Sequence, residues 1–116
     1  YGKIQVQNSR HDEIFCSDKP FQLEAMREYN YIDVMALYNK KVLIELGGFS
    51  EDLLLINWSF EDWHLWLRMG HANKKVVFVD RLTGLYNVRE GSLINDAYFG
   101  GGLYFTRRYF QFRGLI

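Results

Sequence analysis

The stretch FEDWHLWLRM, from Phe60 to Met69, decides the fold of this chain. At about 100° per residue, its apolar side chains cover most of a helix circumference, and only Glu61, His64 and Arg68 share a polar strip. A helix that is apolar over most of its surface is normally buried. The sequence therefore predicts a buried central helix with one narrow, solvated, ion-paired edge.

Asp62 breaks this pattern because it falls inside the apolar part of the helix, on its first turn. The helix N-terminus favours the charged form of the carboxylate, whereas burial disfavours it. A dry carboxylate would have a raised pKa, while one that lines an open cleft would stay ionised and serve as a base. A plainer reading makes Asp62 part of a capping pattern, with Ser59 or Asn57 as the cap and Gly70 as the helix stop.

Composition points to one domain, residues 1–116, long enough to bury its own core. Aromatic residues make up 17% of the chain, which indicates an aromatic core or an aromatic surface. The 14 basic and 14 acidic residues balance, so the charge does not indicate a nucleic-acid partner. The single Cys16 excludes an internal disulfide and is expected to be a small buried hydrophobe. The sequence shows no membrane-spanning run and no signal peptide, and its start without Met indicates a piece of a longer chain.

Short strands and helices alternate along the chain, which predicts a mixed α/β fold. Strands are expected at Lys3 to Gln7, Tyr31 to Tyr38, Lys75 to Val79 and Leu82 to Val88. A helix is expected to start at Asp18-Lys19-Pro20, after an irregular segment that Ile14 and Phe15 anchor, and to pack inward with Phe21, Leu23, Ala25 and Met26.

A second short helix is expected after Asn39, which is a good helix cap. The pair Gly47-Gly48 ends it. Because one glycine suffices for a helix stop, the second implies another strained turn or a close backbone approach.

Three motifs follow one another in this chain: Gly47-Gly48-Phe49-Ser50-Glu51, then Glu61-Asp62 opening the helix that continues to Leu67-Arg68, then Tyr86-Asn87-Val88-Arg89 with Ser92. Together, from about residue 31 to residue 92, they resemble the C-terminal half of family 2 glycosyltransferases, which are inverting enzymes of the GT-A fold. That family typically shows Gly-Gly-Phe-Asp-Glu, a Glu-Asp pair that opens a helix ending in Leu-Arg, and Tyr-Arg-x-His followed by Ser.

The resemblance implies a catalytic role for Asp62, as the general base that takes the proton from an acceptor hydroxyl. Glu61 would shape the acceptor site or hold the helix, and Glu51 would lie near the acceptor. Gly47 and Gly48 would form the turn beside the donor sugar. Trp63 is also expected to contact substrate. The implied partners are a nucleotide-sugar donor and a saccharide acceptor, in the cytoplasm or at the inner face of the membrane.

Three positions depart from the family pattern. Ser50 replaces the usual Asp, Asn87 replaces Arg, and Arg89 stands where the family often has His. Arg89 could still neutralise phosphate charge bidentately. The family's Asp-x-Asp metal motif does not occur in the chain, so the Mg²⁺ or Mn²⁺ expected for the complete enzyme would take its ligands mostly from elsewhere. Alone, this part is not expected to turn over.

Other readings of the same residues remain open. Glu61 and His64 lie three apart and suggest a metal site, but a zinc site needs further ligands and a solvated strip is the plainer reading. Residues 97–116 combine three consecutive glycines, seven aromatics and three arginines, which fits membrane contact, packing against the rest of the domain or oligomerisation. The rival function is a noncatalytic interaction or glycan-binding module.

Overall fold

The computed structural model describes residues 1–7, 14–56, 60–88 and 102–116. Its strands are β1 (Gly2–Gln7), β2 (Ile14–Cys16) and β3 (Val79–Asn87). Its α-helices are α1 (Leu23–Glu28), α2 (Lys40–Glu45), α3 (Glu61–His71) and α4 (Gly102–Phe112), and a 3-10 helix spans Glu51–Ile56. The described residues thus form a mixed α/β structure.

The described strands form one sheet in the order β2-β1-β3. β1 runs antiparallel to β2 and parallel to β3, with Val6 opposite both Ile14 and Tyr86. The strands expected at the N-terminus and at Leu82 to Val88 are both confirmed, although β3 begins earlier, at Val79. Ile4 anchors the sheet to the interior because its side chain is fully buried.

Helix α3 lies in the centre of the core, as its periodicity predicts. Its buried apolar side chains are Trp63, Leu65, Trp66, Leu67 and Met69, and they cluster with Met26, Ile32 and Phe110. Both indole N–H groups are satisfied by backbone carbonyls: Trp63 donates to Met26 (2.6 Å) and Trp66 donates to Ile32 (3.1 Å). The core thus buries its tryptophans without leaving a polar atom unpaired on either ring.

The ends of α3 differ from the capping prediction. The N-cap position is Phe60, in the left-handed conformation, and Ser59 and Asn57 lie outside the described residues. Gly70 does not end the helix. The helix ends in a Schellman motif, in which the N–H of Asn73 bonds to Gly70 (3.0 Å) and that of Lys74 bonds to Met69 (2.9 Å).

Gly70 instead allows α3 to pack closely against the start of α1 and the residue Phe21 before it. A Cβ at Gly70 would lie 2.6 Å from Leu23 Cδ1 and 3.0 Å from Phe21 Cζ. Met26 is fully buried, and Phe21, Leu23 and Ala25 pack partly buried against the core, as expected. The helix begins at Leu23, later than the predicted start at Asp18-Lys19-Pro20.

Two predicted strands are wrong. Residues 31–38 form bends, because Asp33 Oδ1 accepts from the N–H of Met35 (2.8 Å) and the Tyr38 hydroxyl donates to the carbonyl of Val34 (3.0 Å). Such local bonds compete with a strand ladder. The run before β3 is not a buried strand either, since Val77 is 52% exposed.

Two further expectations about packing are corrected. Ile14 and Phe15 lie in β2 and are 46% and 43% exposed, so they do not anchor that segment in the core. Cys16 is only half-buried. In the described residues no helix is both long and apolar enough to cross a membrane.

Candidate functional site

The Asp62 carboxylate lies half-buried on the first turn of α3, with a hydrogen bond to each oxygen. Oδ2 accepts from Asn30 Nδ2 (3.0 Å), and Oδ1 accepts from the backbone N–H of Trp63 (2.7 Å). Burial raises the pKa of Asp62 to about 6, against the two hydrogen bonds, which lower it. The charges of Glu61 and Asp33 raise it further. Asp62 is therefore ionised at neutral pH with a pKa close to it, which suits a general base.

Tyr38 connects the surroundings of Asp62 with the segment that follows the double glycine. Its ring stacks on Trp66 (centroids 5.5 Å apart, 23° between planes) and meets Phe49 edge-on at 6.0 Å. Burial raises the pKa of the Tyr38 hydroxyl, and the negative charges of Asp62 and Asp33 raise it further. Tyr38 is thus a neutral phenol beside two carboxylates.

The double glycine forms a left-handed turn, the first of the two predicted alternatives. Gly47 and Gly48 both have positive φ, 80° and 70°, and their N–H groups bond to Ile44 (2.9 Å) and Leu43 (2.8 Å) at the end of α2. A Cβ placed on Gly48 would meet nothing within 4 Å. Backbone conformation, rather than a close approach, therefore requires glycine at this position.

Arg68 holds this turn in place. Its guanidinium donates to the backbone carbonyls of Leu46 and Gly48. The side chain is half-buried, and burial lowers the pKa of Arg68. The prediction that Arg68 belongs to a solvated, ion-paired strip is wrong, because its partners are carbonyl oxygens of a turn that needs donors.

The prediction that His64 belongs to the solvated strip is also wrong, because His64 is only 3% exposed. Its ring stacks on Phe110 (centroids 5.5 Å apart, 15° between planes), and Nδ1 is buried with no hydrogen-bond partner among the described residues. Burial lowers the pKa of His64 to about 4, helped by the charges of Arg68 and Arg113 and opposed by Asp52. His64 is therefore a neutral histidine of the core.

The remaining predicted site residues are scattered. Glu61 is half-buried beside Asp62, and Glu51 is exposed at the start of the 3-10 helix. Trp63 is 1% exposed, so its ring offers no open face to a substrate. Arg89 lies outside the described residues. No group of three or more metal-binding side chains occurs in the described ranges.

Asp62 and the double-glycine turn contact different parts of α3. Asp62 and Arg68 are six residues apart, which corresponds to about 9 Å along the axis and about 120° around it. Asp62 meets Asn30, and Arg68 meets the Gly48 turn. Sequence reasoning missed Asn30, Asp33 and Tyr38, all of which lie in or beside the segment that was expected to be a strand.

One surface groove, of about 330 Å³, opens beside the Tyr38 and Trp66 rings. Tyr1 and Lys75 line it as well. Its mixture of aromatic rings and a few polar groups is typical of small-molecule sites.

The outer face of α4 carries three exposed aromatic rings: Tyr104 (62%), Phe105 (55%) and Phe112 (87%). Two of the helix's neighbouring arginines are engaged elsewhere, since Arg107 donates to the carbonyl of Glu28 and Arg113 is paired with Asp52 at 3.9 Å. The expected membrane contact or oligomerisation through residues 97–116 stays a prediction.

Comparison of the chain with protein-family models, curated proteins and solved structures gives no match.

Proposed function

We propose that this chain is the acceptor-side part of an inverting family 2 glycosyltransferase of the GT-A fold, with Asp62 as its general base. The observation that carries the proposal is the state of the Asp62 carboxylate. It is half-buried at the start of α3, hydrogen-bonded at both oxygens, and has a pKa raised to about 6 by burial. The three motifs in family order support the same assignment.

Asp62 would act on the hydroxyl of a saccharide or glycoconjugate acceptor. Its carboxylate takes the hydroxyl proton while the hydroxyl oxygen forms a bond to the anomeric carbon of a nucleotide sugar. The bond from that carbon to the diphosphate breaks on the opposite face, and the nucleoside diphosphate leaves with the electron pair. The proton on Asp62 then passes to solvent. The main task of the protein is to position the reactants for this transfer.

The Mg²⁺ or Mn²⁺ expected of the complete enzyme finds no set of three ligands within the described ranges. The proposal therefore assigns two steps to this chain, the binding of the acceptor and the removal of its proton.

Asp62→Asn in the complete polypeptide tests the proposal. The asparagine keeps the size of the side chain but removes the base, so sugar transfer should fall by about 10² to 10⁴ fold. The matched control is Asp80→Asn, because Asp80 is an exposed carboxylate paired with Lys3 and makes no contact with Asp62 among the described residues. Transfer that is undiminished in Asp62→Asn removes Asp62 from the mechanism.

The alternative is a noncatalytic glycan-binding module, which the exposed aromatic rings of α4 favour. Such a module would bind saccharides without using a nucleotide sugar. A complete polypeptide that binds saccharide but neither binds nor consumes nucleotide sugars would support this alternative over the enzyme.

A further inference from the structure

A second hollow, of about 400 Å³, lies on the Asn30 side of Asp62. We call this hollow the cleft, and the lining residues that matter for its chemistry are Asp18, Lys19, Tyr29, Asn30 and Tyr31. Its volume falls within the range of small-molecule sites.

The walls of the cleft are held in place by hydrogen bonds. The Tyr31 hydroxyl accepts from the N–H of Gln22 (2.7 Å) and donates to the carbonyl of Pro20 (3.1 Å). The Lys19 ammonium lies 4.5 Å from the Tyr31 ring centroid and 4.8 Å from that of Tyr29. A cleft with walls fixed in this way loses little conformational entropy when a ligand binds.

Asn30 connects the cleft to the candidate base. Its Nδ2 donates to Asp62 Oδ2 (3.0 Å), and its Oδ1 accepts from the N–H of Ile32 (3.4 Å). The second bond fixes which end of the amide faces the carboxylate. No side chain that lines the Tyr38 groove makes a hydrogen bond to Asp62 in the described part of the chain.

The chemistry of the lining suits a neutral saccharide. The Tyr29 ring, which is 50% exposed, offers apolar surface to sugar C–H groups, and the amide and charged groups offer donors and acceptors to hydroxyls. Lys19 and Asp18 carry opposite charges, so the cleft has no bias toward anions. Cys16 also borders the cleft, but burial raises the pKa of its thiol to about 11, which keeps the thiol protonated and excludes it as a nucleophile at neutral pH.

We propose that this cleft binds a neutral sugar ring of the acceptor and that Asn30 is a positioning residue, which orients Asp62 toward one of the acceptor hydroxyls. This inference rests on the proposed function. It adds to that function the cleft as the acceptor-binding site and Asn30 as the residue that links the cleft to Asp62.

The first test is an NMR titration of this chain with three probes, the methyl glycosides of glucose, galactose and N-acetylglucosamine. At least one probe should produce saturable shifts of the Asn30 side-chain amide signals and leave the Trp66 indole signal in place. Tyr29→Ala should abolish these shifts. Tyr104→Ala, which removes a comparably exposed ring from α4, should not. Shifts confined to Trp66, shifts that survive Tyr29→Ala, or no saturable shift with any probe would overturn the cleft assignment.

The second test concerns Asn30 itself. Asn30→Ala removes a donor to Asp62, so the carboxyl of Asp62, followed by carbon-13 NMR, should titrate at a higher pH than in the parent chain. In the complete enzyme, the acidic limb of the pH profile of kcat should move in the same direction while the KM for the donor sugar stays unchanged. An unchanged Asp62 titration overturns the positioning role.

The outcomes separate this inference from the proposed function. If Asp62→Asn abolishes transfer while Tyr29→Ala and Asn30→Ala change neither acceptor KM nor pH profile, the base assignment stands and the cleft assignment fails. If the glycosides bind in the cleft but Asp62→Asn leaves transfer intact, the cleft remains a saccharide site and the proposed mechanism fails.

Discussion

Arg68 of the central helix donates a hydrogen bond to the backbone carbonyl of Gly48, in the turn that ends α2. A second bond goes from the same guanidinium to the carbonyl of Leu46. A helix end leaves carbonyls without intrahelical partners, and here a side chain from another helix satisfies the carbonyl of Leu46, the C-cap residue of α2. The core helix therefore fixes the path of the chain into Phe49, which contacts Tyr38 beside the candidate site.

Replacing Arg68 should destabilise the turn formed by Gly47 and Gly48. Arg68→Met keeps most of the apolar stem but removes both hydrogen bonds, so we expect a loss of about 2 to 3 kcal/mol in the free energy of unfolding, measured with urea. Arg68→Lys should lose part of this, because a single ammonium does not reproduce the planar guanidinium fork. Arg108→Met is the matched control, since Arg108 is exposed on α4, and it should change stability by less than about 0.5 kcal/mol. Equal losses for Arg68→Met and Arg108→Met would contradict this role.

The turn should also depend on the backbone freedom of Gly48. Gly48→Ala places a Cβ in open space but forces an L residue into φ near 70°, which should cost about 1 to 2 kcal/mol. Gly48→Asn should cost less, because asparagine tolerates the left-handed region better than alanine. Thermal unfolding of both variants measures the difference. If asparagine is as costly as alanine, backbone conformation is not what selects glycine.

The buried helix was predictable from periodicity because the pattern lies within one helix. The spacing of Trp63, Leu65 and Met69 places them on the buried side of that helix, whatever the rest of the chain does. The double-glycine turn was predictable for the same local reason. His64 was not, since its burial depends on Phe110, which comes 46 residues later in the sequence and packs on it through α4. A polar residue on a helix does not show in advance which distant ring will cover it.

The candidate site was only partly predictable. Asp62 was predictable because it is an acidic residue on the apolar side of the helix and belongs to the Glu61-Asp62 motif. Asn30 lies 32 residues earlier and carries no pattern that would pair it with Asp62. The segment from 31 to 38 is rich in strand-forming residues, yet side-chain bonds from Asp33 and Tyr38 to nearby backbone favour bends. Local hydrogen bonding therefore overrode strand propensity beside the site.

His64 should make the fold sensitive to acid. The folded protein holds His64 neutral with a pKa of about 4, whereas the unfolded chain titrates near pH 6.5, so the unfolded state binds the extra proton in between. Stability from this residue is complete above pH 6.5 and is lost as the pH falls toward 4. His64→Phe should keep the stacking on Phe110 and remove this loss, which amounts to roughly 3 kcal/mol at pH 4. Urea unfolding of both proteins at pH 7 and pH 4 measures the effect, and an equal pH dependence would contradict it.

Asp62 should act in the opposite direction over the same pH range. Because its folded pKa of about 6 lies above the unfolded value of 3.8, the folded state binds the extra proton, and stability falls as the pH rises through this interval. Asp62→Asn removes a buried charge and keeps the size of the side chain. We therefore expect the variant to be more stable than the parent at pH 8 and to approach it at pH 4.

The same substitution links stability to function. A carboxylate that destabilises the fold at neutral pH lowers the free energy of unfolding, and a functional role would explain why such a residue is present. In the parent chain the contributions of Asp62 and His64 oppose each other between about pH 4 and pH 6, so Asp62→Asn should lose stability toward acid more steeply than the parent. Urea unfolding at several pH values checks both slopes. If Asp62→Asn is less stable than the parent at pH 8, the carboxylate supports the fold through its bonds to Asn30 and Trp63, and the argument from cost to catalysis fails.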